Sequence, residues 1–150
     1  MEKSSIQVMT ESHESKTGSF HNITFQVGLL HFVHLLAMVD GSIDQREKAA
    51  IRKIKLEEKI PDWVFDDFEE SLFQRTEREI FEEGVELLNR CSEEERLTAF
   101  VHLYRLSEAD DSIHVKEVRF LLYSLKATKI EFEDVELSAR MSKAVALKWL

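Results

Sequence analysis

Asp40 and Glu47 recur 70 residues further on as Asp110 and Glu117, in the stretches LAMVDGSIDQRE (Leu36 to Glu47) and LSEADDSIHVKE (Leu106 to Glu117). Leu36, Ser42 and Ile43 recur with them as Leu106, Ser112 and Ile113. A repeated apolar skeleton is explained by packing, whereas acids repeated at turns call for a chemical reason. Asp40 and Asp110 fall where an apolar helical run ends, so each carboxylate faces the negative end of a helix dipole, at a cost of about 0.3–1 kcal/mol. Two arrangements offset that cost. Each Asp can accept backbone N–H groups of the turn that follows, as in an Asx turn. Alternatively, pseudo-twofold packing can gather Asp40, Glu47, Asp110 and Glu117 around one hard divalent cation, with water completing the sphere. His114 stands where Asp44 opens a capping box with Glu47, so the box decays in the second copy while the glutamate stays. Glu117 is otherwise an ordinary exposed helix residue. An EF-hand loop is excluded, because its first and third ligand positions would hold Leu36 and Met38, then Leu106 and Glu108.

Other residues able to do chemistry are fewer. His31 and His34 lie three apart, on one helix face, and His102 falls on the partner helix. A transition-metal site made of these three lacks a Cys or carboxylate at matching spacing, and histidines on the polar side of a buried helix are the simpler reading. Cys91 is followed by Glu93, Glu94 and Glu95, a negative field that disfavours a thiolate, so it reads as structural. No Ser/His/Asp arrangement, glycine-rich phosphate loop or H-E-x-x-H site is present. The sequence contains no recognisable active site and reads as non-enzymatic.

The elements that must position these residues are helical. The 150 residues contain one proline and four glycines, which fits an all-α class and a single domain. Residues 1–21 are polar and aperiodic and read as a mobile tail, with the domain spanning 22–150. ITFQVGLLHFVHLLAMV, from Ile23 to Val39, is apolar on nearly every side and marks a central helix, ended by Gly41. A second helix opens at Asp44 and buries Ala50, Ile51, Ile54 and Ile60. Pro61 starts a third, with Trp63, Val64, Phe68 and Leu72 in helical spacing. Thr76 to Arg90 forms a fourth. Ser92, with Glu95 three residues on, caps a fifth that is the counterpart of the first, the two forming the middle of the core. The sixth runs from about His114 to Ala127 and buries Val118, Leu121, Leu122 and Leu125. The last starts near Glu131 or Phe132 and carries Trp149 back onto the body. The expected architecture is a compact bundle of about seven helices with two pseudo-repeated helix–turn–helix units.

Net charge is −9, which argues against binding a phosphate backbone and so against nucleic acid as the partner. Glu57 to Glu95 carries a local balance of −11, against a basic run at Arg46, Lys48, Arg52, Lys53 and Lys55. Solvated helix faces explain both, and so do two protein-contact surfaces. One cysteine fits a reducing compartment, and no apolar stretch reaches the ~18 residues of a membrane span, so the expected setting is cytoplasmic, without membrane insertion.

The halves AMVDGSIDQREKAAIRKI and LSEADDSIHVKEVRFLLYSL resemble the tellurite-resistance TerB-like family over roughly residues 23 to 135. That resemblance implies an all-α fold, a bacterial cytosolic setting, and a link to tellurite or general chemical stress. It also implies divalent-metal association through Asp40, Glu47, Asp110 and Glu117. The second copy departs from the usual D-G with Asp110-Asp111. The resulting expectation is a stress-associated interaction domain that binds other proteins and a divalent cation (Ca²⁺, Mg²⁺, Mn²⁺ or Zn²⁺). The alternatives are a structural adaptor without a metal site and a metal-dependent enzyme, which would need an open, water-bearing site beside a pocket.

Overall fold

The structure is a computed structural model that describes residues 22–39, 45–108 and 115–148, the side chains at 46, 47 and 142–148 excepted. Seven helices lie within those residues: α1 (Ile23–Met38), α2 (Gln45–Glu57), α3 (Asp62–Ser71), α4 (Glu77–Asn89), α5 (Glu93–Ser107), α6 (Val115–Thr128) and α7 (Phe132–Lys148). The all-α bundle expected from the sequence is what forms, and no strand occurs among the described residues.

The repeat extends well beyond the two short phrases. Ile23 and Glu93, Gln45 and Val115, and Asp62 and Phe132 are the first residues of α1/α5, α2/α6 and α3/α7, and each pair lies 70 residues apart. The caps repeat at the same offset. Asn22 Oδ1 accepts from the Thr24 N–H at 2.8 Å, and Ser92 Oγ from the Glu95 N–H at 3.1 Å, closing the Ser92–Glu95 capping box. α2 and α6 end alike. Ile60 N donates to Lys55 O at 2.9 Å and Lys59 N to Leu56 O at 3.2 Å. Ile130 N donates to Leu125 O at 3.1 Å and Lys129 N to Lys126 O at 3.3 Å. These are Schellman motifs with a left-handed lysine at C′ (Lys59 φ 52°, Lys129 φ 59°) and a buried isoleucine just after it.

α1 is the core helix its composition foretells, with buried residues on all sides from Phe25 to Ala37. Its main neighbour is α4 rather than α5, although α5, α3 and α6 also pack on it. Two glycines allow that close approach. A Cβ on Gly84 would stand 3.0 Å from His31 Cβ and from Phe32 Cε2, and one on Gly28 would stand 2.9 Å from Leu88 Cδ2. Phe32 then sits among Phe81, Phe100 and Phe120, with ring centroids 5.7–6.2 Å away. Val64 and Phe68 of α3, with Ile60, form a smaller apolar cluster around Leu30.

Several expectations need correcting. Val118 and Leu122 are exposed, at 39 % and 48 %, not buried. α6 turns Glu117, Leu121, Ser124, Leu125 and Thr128 inward, so Val118 and Leu122 fall on the flank that no described helix covers. Ala50 and Ile51 are only partly buried. Ile60 is buried but lies in the turn after α2. The tail (1–21), the Gly41 and Asp44 turn features and Trp149 lie outside the described residues.

Candidate functional site

Of the four acids singled out by the repeat, Asp40 and Asp110 lie outside the described residues, and so does the side chain of Glu47 in the first turn of α2. Glu117 is described. It sits in the first turn of α6, where a carboxylate meets the positive end of the helix dipole, and it is 6 % exposed. An ordinary surface glutamate at that position would point to water, whereas Glu117 is turned into the bundle and has an interaction partner.

The three histidines do not converge; each has its own surroundings. His31 is buried on α1. Its Nδ1 lies 2.7 Å from Val27 O, an atom that only accepts, so Nδ1 carries the proton. Its Nε2 lies 3.0 Å from Glu83 Oε2 and 3.3 Å from Arg75 Nη2, and the Arg75 guanidinium is itself ion-paired with Glu83. His34 is half-buried one turn on, edge-on to Phe68. Burial is the main influence on it and holds its pKa below the usual 6.5, outweighing the upward pull of Glu69 and Glu77; His31 adds a smaller downward push. Cys91 is structural as expected. It is buried, its Sγ–H donates to Leu87 O at 3.4 Å, and burial beside Glu95 pushes the thiol up to about 11.

His102 has the surroundings richest in charge. Gln26 of α1 donates its Nε2 protons to Glu58 O at 3.0 Å and Lys59 O at 3.3 Å, clamping the Schellman turn at the end of α2. The Glu58 side chain points inward and is 10 % exposed. Glu58 Oε2 lies 2.6 Å from His102 Nε2. A carboxylate accepts, so Nε2–H donates to Glu58. Glu57 Oε1 lies 3.8 Å from Nδ1, on a side chain 42 % exposed. Two neighbouring depressions, of about 410 and 200 Å³, share Glu57, His102 and Arg105 as walls, with Glu94 lining the first and Lys53 the second.

Glu58, Glu83 and Arg75 were missed in the sequence, where EEK and QRTEREIFEEG look like solvated charged surface. The available signal was the dipeptide Lys59-Ile60 repeated as Lys129-Ile130, which marks a tight turn with a buried anchor and so places Glu58 next to the interior. Among the described residues, no three His, Cys, Asp or Glu side chains form a group able to hold a metal ion. No described helix is long and apolar enough to cross a membrane. Comparison with protein-family models, with curated proteins and with solved structures finds no match.

Proposed function

We propose that this chain is a TerB-like, stress-associated helical domain that works without catalysis, through contacts with other proteins, and holds one hard divalent cation between its two acidic turns. The observation that carries this reading is the 70-residue recurrence of helix starts, which makes Glu47 and Glu117 equivalent positions in the first turns of α2 and α6. Four carboxylates from two such turns match the oxygen-rich sphere that Ca²⁺, Mg²⁺ or Mn²⁺ prefers. Exposed apolar side chains on different elements, Trp63, Phe73, Val118 and Leu122, supply contact surface for a protein partner.

The test is thermal unfolding of the metal-stripped chain with each ion in turn, beside the Asp40→Asn/Asp110→Asn double variant. An ion at about 100 times its dissociation constant adds roughly 2.7 kcal/mol, enough to raise the midpoint by several degrees. The expected result is a shift in the parent that is lost in the double variant. A parent that no ion shifts refutes the cation and leaves the acids as turn formers.

A further inference from the structure

α6 carries on its outer side a stripe that the fold does not require. Val115, Val118 and Leu122 recur at i, i+3 and i+7, and all three are exposed. At the 70-residue offset the same positions on α2 hold Gln45, Lys48 and Arg52, also exposed. The shared backbone frame thus accepts polar residues here, and three aliphatic side chains left in water call for a cover. Lys116, Arg119 and Lys126 flank the stripe, exposed and without an ion pair among the described residues. The one acid of α6, Glu117, is turned inward, so every exposed charge on this helix is positive. A second copy of the same face would set base against base. The cover has to bring acids together with apolar side chains.

The chain itself has such a surface. On α3 and the turn after it, Trp63, Asp66, Glu70 and Phe73 recur at i, i+3, i+7 and i+10, and all four are exposed. Asp66 and Glu70 form no ion pair among the described residues, and exposed Asp67 adds a third carboxylate beside them. At a rise of 1.5 Å per residue, Trp63 to Phe73 spans about 15 Å and Val115 to Lys126 about 17 Å. We propose that this chain binds a second copy of itself head to tail, the α6 stripe of one copy seated on the α3 face of the next. Val118 and Leu122 then meet Trp63 and Phe73, while Arg119 and Lys126 meet Asp66, Asp67 and Glu70. The two faces are different patches, so the contact is heterologous, and each copy keeps one face open for the next until a ring closes. This self-contact names the partner for the exposed apolar surface in the proposed function, on which it rests, and involves no cation.

Sedimentation of the full chain from micromolar to millimolar concentration tests the contact, with circular dichroism reporting helical content. Two variants at exposed positions each disable one face: Arg119→Glu/Leu122→Glu on α6, and Trp63→Glu/Phe73→Glu on α3. Mass should rise with concentration in the parent, and each variant alone should stay monomeric with helicity unchanged. Mixed one to one, the two variants should form a complex of two chains and nothing larger, because each brings one intact face. Val118→Lys/Leu122→Arg installs the residues of the equivalent α2 positions, which guards the fold, and should stay monomeric as well. A parent that is monomeric at millimolar concentration overturns the proposal. So does association that persists in Trp63→Glu/Phe73→Glu or in Val118→Lys/Leu122→Arg, and so does a mixture that remains monomeric. A monomeric parent whose unfolding still responds to an ion would refute the self-contact alone. An associating parent that no ion stabilises would refute the cation alone.

Discussion

The groove between α2 and α5 and the groove beside α1 and α6 are the same place in the two halves of the repeat, and the residues the two halves contribute to it differ in chemistry. The first presents Lys53, Glu57, His102 and Arg105. The second, about 460 Å³, presents Leu35, Met38, Phe81, Phe120 and Tyr123 together with Glu77, Arg78 and Glu82 of α4. At the 70-residue offset Lys53 answers to Tyr123, Arg105 to Leu35, and Ala50 to Phe120. Beneath the surface, His102 with Glu58 answers to Phe32 with Thr128. The backbone frame has been kept, down to its Schellman caps, while one half has a buried histidine–carboxylate hydrogen bond where the other has an aromatic core. A buried hydrogen-bonded polar pair rarely adds stability over an apolar pair of similar shape. Its presence in one half alone is therefore not required by packing, and the aromatic core is the neighbouring solution.

The largest effects should come from breaking each half at its centre. Phe32→Ala removes the ring that Phe81, Phe100 and Phe120 share, and should cost about 3–5 kcal/mol in urea unfolding. His102→Ala takes one member of a buried pair from its partner and should cost about 3 kcal/mol. The informative step is the next one. Adding Glu58→Thr to His102→Phe should bring stability back to within about 1 kcal/mol of the parent, because an apolar pair of similar shape needs no compensating charge. If the double variant is as unstable as His102→Ala, the halves are not interchangeable and the comparison fails. Between these in size lies Gly84→Ala. Its new Cβ would press on His31 and Phe32 at 3.0 Å. Overpacking of about 1–3 kcal/mol should outweigh the roughly 1 kcal/mol that alanine gains in helix propensity.

How much of this was legible in the sequence follows from which signals are local. The α1 run, the Ser92–Glu95 box and the Pro61 start were readable because caps and apolar density act within a few residues of themselves. Val118 and Leu122 were misread because α6 carries an apolar stripe wider than the face it buries. Periodicity gives the stripe's existence, and only neighbouring helices decide which part is covered. Lys59 and Lys129 hid their turns, since a left-handed C′ residue is usually signalled by glycine. The inward Glu58 followed from that concealed turn, and the His102 groove from Glu58. Asp40 and Asp110, the acids most visible in the sequence, lie outside the described residues.

Those two lysines provide a smaller and more symmetric test. A non-glycine residue in the left-handed region carries a steric cost of roughly 1 kcal/mol, partly offset in glycine by greater chain entropy when unfolded. Lys59→Gly and Lys129→Gly should each raise stability, by about 0.5–1 kcal/mol, and by similar amounts. A gain at one turn and a loss at the other would show that the two Schellman motifs bear different strain despite matching hydrogen bonds.

The smallest effect sets one more equivalent pair against itself. His34 and Tyr104 are 70 residues apart, and burial is the leading influence on both, yet it lowers the histidine and raises the tyrosine. The opposite signs have one cause. Burial penalises the charged form, which is the protonated state of histidine and the deprotonated state of tyrosine. For His34 the consequence falls in an accessible range. Between pH 6.5 and its lower folded value the unfolded chain holds more protons on this residue than the folded chain does. Stability contributed at His34 is therefore complete above pH 6.5 and declines as pH falls through that window. Half-burial keeps the effect small. Urea midpoints measured from pH 8 down to 5.5 should fall less steeply in His34→Gln than in the parent. Curves of equal slope would mean that solvent screens His34 fully, and that the two halves differ at this position in side-chain identity without any electrostatic consequence.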